Sequence, residues 1–286
     1  MGITTFEGKT AFVTGGASGI GLGISKVLAA RGAQVMIADL RPDHIEKALE
    51  EVAGAGRSNQ VSSMLLDVTR REAYAKAAEQ MQRDFGGIDI LVNNAGVGPE
   101  GPVLSATYAD YDFGIGVNLG GVINGFVSFL PQMVEHGRGG HIVSTASLAA
   151  EVVMPGTMAI YAASKAAVCH YCEAVKPDLG AVGIGVSILL PGPIKSNIHE
   201  TGQNRPEHLR EGSGFVSSEA QLSQREVADW WMEAEEVGEM VAKGILEDTT
   251  YIVTHGIFKN HMRARAEAVL AATPDSEIQF GEGDSI

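Results

Sequence analysis

An open α/β fold, one parallel doubly wound sheet with helices on both faces, is what this sequence predicts for residues 1–286 as a single domain. Three observations predict it. Short apolar runs alternate with longer segments of helical period, with no other internal repeat. The first apolar run leads directly into a Gly-rich turn and a helical segment. The chain holds 36 Gly and 45% apolar residues, enough for a large core crossed by many tight strand–helix turns.

The first strand reads at 10–14, and its turn, Gly15-Gly16-Ala17-Ser18-Gly19-Ile20-Gly21, opens a helix at 20–30. Such a turn aims backbone N–H groups and a helix N-terminus at a phosphate, the Rossmann-type arrangement. Gly15, Ser18, Gly19, Ile20 and Gly21 are therefore candidate contacts for a dinucleotide. The second strand, 33–38, ends in Asp39, 18 residues beyond Gly21. A carboxylate there accepts hydrogen bonds from both hydroxyls of an adenosine ribose and repels a 2′-phosphate. Arg41 would partly neutralise it. NAD is expected over NADP, although Asp39 also suits a turn or helix cap. A helix at 42–53 begins on Pro42. The third strand, 61–66, ends at Asp67-Val68, and Asp67 suits either an adenine amino group or a cap on the helix at 70–85. The fourth strand, 88–92, ends in Asn93-Asn94-Ala95-Gly96, small residues and amides that suit a close cofactor or the bracing of strand ends.

A long helical region at 107–135, kinked or broken at Pro131, carries Asn118 among Gly114, Gly116, Gly120 and Gly121. Each Gly costs a helix about 0.5–1 kcal/mol relative to Ala, so tight packing or a local bulge at a functional residue is expected. The fifth strand and its exit, 140–147, leave Ser147 at the C-terminal end, where open α/β sheets bind ligands. A helix carrying Tyr161 and Lys165 runs to 180, and the sixth strand, 184–190, gives way to Pro191-Gly192-Pro193-Ile194-Lys195-Ser196-Asn197. Residues 198–229 are polar and too long for an ordinary connection, so about 195–231 is expected to cover the substrate with short helices. A helix at 237–246, a strand at 251–254 and a helix at 258–270 follow, and 273–286 reads as a loosely held acidic tail.

Composition narrows the function. The formal charge is −14 with no basic patch, which argues against nucleic acid. No run of 18 apolar residues occurs, so no membrane span is expected. The first ten residues lack a signal-peptide pattern, and Phe6 breaks the myristoylation pattern. The two cysteines, Cys169 and Cys172, lie mid-helix at C-x-x-C spacing. They read as packed thiols rather than a redox or zinc pair, which suggests a reducing, cytoplasmic compartment.

Tyr161 and Lys165 stand four residues apart, one turn apart on one helical face. A phenol titrates near ~10. A close cation lowers that by roughly 1–3 units, and a second cation pushes further the same way. The pair then suits proton transfer near neutral pH, although alone it would pass for an ordinary surface pair.

The ordered set Thr14-Gly15-x3-Gly19-x-Gly21, Asn93-Asn94-Ala95-Gly96, Asn118, Ser147, Tyr161-x3-Lys165 and Pro191-Gly192 closely resembles the short-chain dehydrogenase/reductase family in its classical form, over about residues 8–200. That resemblance implies a catalytic tetrad of Asn118, Ser147, Tyr161 and Lys165. Tyr161 would be the acid/base for the alcohol proton. Lys165 would bind the nicotinamide ribose and lower the Tyr161 pKa, Ser147 would hold the substrate oxygen, and Asn118 would position a water. The set implies a cofactor site that adds Asp67, Val68, Asn94, Ala95, Gly96, Pro191 and Gly192, with Ile194 and Ser196 at the carboxamide and no metal. It also implies a homodimer or homotetramer. Two departures stand out: the Ser147–Tyr161 gap is one residue longer than usual, and the longer C-terminus lacks the family's Gly-Gly ending. A narrower resemblance, carried by residues 116–125, 195–198 and the Tyr251 strand, is to the bacterial Cα-dehydrogenases of lignin metabolism. It implies oxidation of a benzylic β-aryl ether alcohol to a ketone with NAD, and Met154, Met158, Phe215, Trp230 and Trp231 are candidates for an aromatic pocket. The alternatives are a steroid, sugar, acyl thioester or simple ketone as substrate, with NAD or NADP, and more remotely a non-catalytic dinucleotide sensor.

Overall fold

Seven parallel strands form one sheet in the order β3-β2-β1-β4-β5-β6-β7. The computed structural model describes residues 2–54, 56, 58–224 and 227–275. In chain order the elements are β1 (Thr10–Thr14), α1 (Gly19–Ala30), β2 (Gln34–Asp39), α2 (Pro42–Gly54), β3 (Val61–Leu65), α3 (Arg71–Phe85) and β4 (Ile90–Asn93). Next come α4 (Tyr108–Ile115), a π-helical turn (Gly116–Gly120), α5 (Gly121–Glu135), β5 (Gly140–Thr145), α6 (Ala159–Ala181) and β6 (Ile184–Leu190). A cover follows, made of the 3₁₀ segment Ile198–Asn204, α7 (Glu207–Arg210) and α8 (Val216–Leu222). The chain returns through α9 (Ala234–Leu246), β7 (Tyr251–Val253) and α10 (Lys259–Ala272). Most of the expected tail, 276–286, lies outside the described residues.

The central strands are buried on both faces, as all-parallel sheets require, so they read as continuous apolar runs. Alternation along β1 divides the core. Phe12 joins the layer with α3, α5 and α6, which holds Tyr74, Phe126, Phe129 and Val168, while Ala11 and Val13 join the layer with α1, α2 and α9.

Helical structure is continuous over 108–135 and does not break at Pro131. The carbonyl of Val127, which loses its usual donor to the proline, belongs to a residue on the solvent face. By length and composition this helix is apolar enough to cross a bilayer. Its inner face, with Phe113, Val122, Phe126, Phe129 and Met133, is nevertheless core. The glycines have a packing reason: a Cβ on Gly125 would lie 2.1 Å from Asn93 Oδ1, and one on Gly121 3.0 Å from Val68 Cγ2. Cys169 and Cys172 are buried, free thiols, and burial pushes them up to about 12 and about 11.

One buried group at the opposite, N-terminal edge of the sheet sets a pH response. His141 in β5 hydrogen-bonds Ser187 through Nε2 at 2.8 Å, its Nδ1 has no partner among the described residues, and burial pulls its pKa down to about 4. The unfolded chain then holds the extra proton between pH 6.5 and 4, so stability falls as pH drops through that window. The loss amounts to about 3 kcal/mol at the ~1.4 kcal/mol per unit of linkage. Urea unfolding at pH 7 and pH 4.5 should show it, and His141→Gln should flatten the difference. An unchanged slope in that variant would assign the acid sensitivity elsewhere.

Candidate active site

The sheet order places β1 beside β4, so the connections leave these two strands toward opposite faces. A crevice opens at their C-terminal ends, the switch point where such sheets bind ligands. A cleft of about 910 Å³ occupies it. Gly15, at φ +60°, lies so close to Ala95 that a Cβ would stand 2.9 Å from its Cα. Gly19, at φ +48°, would bring a Cβ within 2.8 Å of Ser196 Cβ. Ser18 makes no side-chain cap to α1, so the first-turn N–H groups are left to an anion. This narrow cradle at a helix N-terminus fits a pyrophosphate. Gly21 is not on the wall: it lets the turn fold on itself, because a Cβ would meet Gly15 O at 2.1 Å.

Asp39, the last residue of β2, is buried, and its carboxylate accepts the N–H groups of Ala17 (3.2 Å) and Arg41 (3.1 Å). Arg41 does not neutralise it at hydrogen-bond distance. Its guanidinium turns to Asp43, donating through Nε (2.9 Å) and Nη2 (2.5 Å). Asp67 lines the cleft with Val68 but does not cap α3; its carboxylate takes the N–H (2.9 Å) and hydroxyl (2.7 Å) of Thr69. Asn94 braces the switch point, donating to Thr14 O and Gly15 O and accepting the Thr145 hydroxyl. Ala95, Gly96, Pro191, Gly192, Ile194 and Ser196 complete the wall on the expected side.

The expected tetrad gathers at one end of this cleft. Tyr161 lies in the first turn of α6, and Lys165 one turn on. Ser147, just beyond β5, accepts the Ala149 N–H at 3.1 Å and lies beside the Tyr161 hydroxyl. Lys165 is buried and donates to Thr145 O at 2.7 Å. Its Nζ stands 6.0 Å from the Tyr161 ring centroid. Burial pushes the phenol above its ordinary value, with the Ser147 hydrogen bond working against it, and pulls Lys165 down to about 8. Burial thus works against the lowering of the phenol expected from Lys165.

Asn118 sits in the π-helical turn, fully buried. Its side chain accepts the Val97 N–H and donates to Val97 O and Ser164 Oγ, each at 2.9 Å. This ties the loop after β4 to α6. The glycine at 96 keeps space between Asn118 and Lys165, since a Cβ there would lie 3.2 Å from both Oδ1 and Nζ.

A second cavity, about 130 Å³, adjoins the first, and Tyr161 lines both. Met158 and Trp231 are on its wall with Pro99, Glu100, Ile198, His199, Leu222 and Val227. The other three expected pocket residues are elsewhere. Phe215 is buried under the cover against Gly101, Trp230 points to solvent beside Trp231, and Met154 reaches neither cavity. Length and polarity marked the cover in the sequence, but not which of its side chains turn inward.

The cover is fastened by a buried charge cluster with no motif to announce it. Arg205 pairs with Glu219 through two hydrogen bonds, one of them Nε–Oε2 at 3.0 Å, and with Asp110 of α4 at 3.2 Å. Its guanidinium also lies 4.4 Å from the Phe113 ring centroid. Burial would raise Asp110, but hydrogen bonds from Ser213, Thr107 and Gly214 prevail and hold it below the usual carboxylate range.

Comparison with known proteins agrees with this geometry. A sequence model described as short chain dehydrogenase matches residues 9–206. A curated relative, the C alpha-dehydrogenase of Sphingobium sp. (strain NBRC 103272 / SYK-6), is 38% identical over 98% of each chain. The apo form of LigD from Sphingobium sp. strain SYK-6 superposes with TM-score 0.78 at 34% identity, over 95% of this chain and 100% of that one. A short chain dehydrogenase/reductase from Burkholderia phymatum, solved in complex with NAD, superposes with TM-score 0.87 at 30% identity, over 97% and 100%.

Proposed function

We propose that this chain, which belongs to the short chain dehydrogenase family of oxidoreductases, oxidises a secondary benzylic alcohol of the β-aryl ether type to a ketone with NAD. The observation that carries this reading is the position of Tyr161, which with Ile198 and Trp231 faces both the large cleft and the small, mostly apolar cavity. A nicotinamide held at this end of the cleft would supply the hydride acceptor for the carbinol carbon and a positive charge beside Tyr161. Ser147 holds the alcohol oxygen and Tyr161 receives its proton. Lys165, anchored on Thr145, would hold the nicotinamide ribose, and burial lowers its pKa to about 8. Asn118 acts by positioning, since its side chain is spent on Val97 and Ser164. NAD is preferred because Asp39 is pinned by two backbone N–H groups where the ribose hydroxyls would lie.

The small cavity is a few times the ~30 Å³ share of one water, room for one aryl ring with the rest of the molecule in the open cleft. Met158, Trp231 and Leu222 suit that ring, and His199 and Glu100 suit its oxygen substituents. The exposed apolar stripe Tyr111, Ile115, Ile123 and Val127 along α4 and α5 supports a homodimer or homotetramer, and the free buried thiols support a cytoplasmic setting. The test is a panel of alcohols with NAD and with NADP, read as reduced cofactor. Aryl alcohols of the β-ether type should react with NAD at rates at least tenfold above small aliphatic alcohols. Equal rates on the two classes would sink the substrate assignment.

A further inference from the structure

The cover crosses the cleft as a strap tied to both banks. On the β4 side the Gly98 N–H donates to Thr201 Oγ1 at 2.7 Å. On the β2 side Arg41 meets two strap residues, with Nη1 3.3 Å from Gln203 Oε1 and 3.6 Å from Glu200 Oε2. The same guanidinium is held from below by the bidentate pair with Asp43. His44 Nε2 stands 3.9 Å from both Asp43 and Glu200. Each of the three guanidinium nitrogens of Arg41 thus has a partner, although Arg41 lines the cleft two residues past Asp39.

We propose that Glu200 and Asp43 determine the choice of dinucleotide by holding Arg41 in the strap, so that closure of the cover itself rejects a 2′-phosphate. This rests on the dinucleotide reading above. Two carboxylates share one guanidinium here, with Asp39 next to them, so this corner of the cleft carries a net negative charge. A phosphate of about −1.5 to −2 charge at Asp39 would have to draw Arg41 off both carboxylates to make its own bidentate pair. Doing so unfastens the strap from the β2 bank. Two ribose hydroxyls make no such demand and leave it closed. Arg70 also lines the cleft, on the Asp67 side, and stands apart from this cluster.

Calorimetric titration with NAD and NADP tests this, using the wild-type protein, the pair Asp43→Asn/Glu200→Gln, and that pair in an Arg41→Ala background. The substitutions are isosteric and both side chains are partly exposed, at 62% and 26%. The wild type should bind NADP at least tenfold more weakly than NAD. The pair should reduce that ratio at least tenfold, and in the Arg41→Ala background it should move the ratio less than twofold. A ratio unmoved by the pair overturns the proposal. So does an equal change in both backgrounds, which would be a simple loss of negative charge. A wild-type ratio near one overturns the NAD reading itself, whatever the variants do.

Discussion

Tyr161→Phe should lower kcat for alcohol oxidation by at least ~10²–10⁴-fold, the usual worth of a positioned general acid/base. The substitution removes one oxygen and keeps the ring, so packing at the first turn of α6 is preserved. The structural cost is that of one hydroxyl beside Ser147, about 1 kcal/mol. The variant should therefore stay folded, with a melting temperature near that of the parent. Ser147→Ala should also impair turnover, and adding it to Tyr161→Phe should cost little more, because the two groups act on one proton. The check is steady-state kinetics of the single and double variants beside a melting curve. Turnover in Tyr161→Phe within tenfold of the parent would remove this residue from the chemistry.

Arg205→Met should release the cover. The substitution leaves Glu219 buried, and among the described residues Arg205 is its only hydrogen-bond partner. Removing one member of a buried pair costs about 3–5 kcal/mol. Asp110 is less affected, because Thr107, Ser213 and Gly214 still donate to it. The strain should be relieved locally, through the ties that remain among the described residues: Ser213 and Gly214 to Asp110, Ser105 to Gly214, Thr107 to Gly212, Gly98 to Thr201, and Arg41 to Gln203 and Glu200. Opening favoured by 3–5 kcal/mol corresponds to cleavage within 198–224 faster by on the order of 10²–10³ when proteolysis follows the open population. KM should rise with it. Arg205→Met/Glu219→Leu, which removes both charges, should recover most of the resistance. Resistance equal to the parent in the single variant would show that the cluster does not fasten the cover.

The alternation of apolar runs and helical periods determined the doubly wound sheet, because each strand buried on both faces must be apolar throughout. The strand-end residues were equally legible. Gly15, Gly19, Asp39 and Ser147 each follow or end an apolar run, and in a parallel sheet all such ends lie on one edge. The bulge at Asn118 could be expected from the glycines around it. These features are local: short-range sterics and period write them into contiguous residues.

The inward face of the cover was not written that way. Phe215 and Trp230 share the aromatic character of Trp231, yet one is core, one faces water and only Trp231 meets Tyr161. Their fates depend on how the cover docks on α4, which Arg205, Glu219 and Asp110 decide across the 94 residues between Asp110 and Arg205. The titration of Tyr161 and Lys165 likewise depends on the tertiary structure. Tyr161 and Lys165 promised a lowered phenol by spacing alone, but desolvation depends on what surrounds a group rather than on its sequence neighbours. Sequence by itself therefore determined the fold, the edge of the sheet that binds and the residues brought to it. Only the tertiary structure decided which side chains close over the reacting centre and how burial sets their charge, because both depend on contacts between residues far apart in the chain.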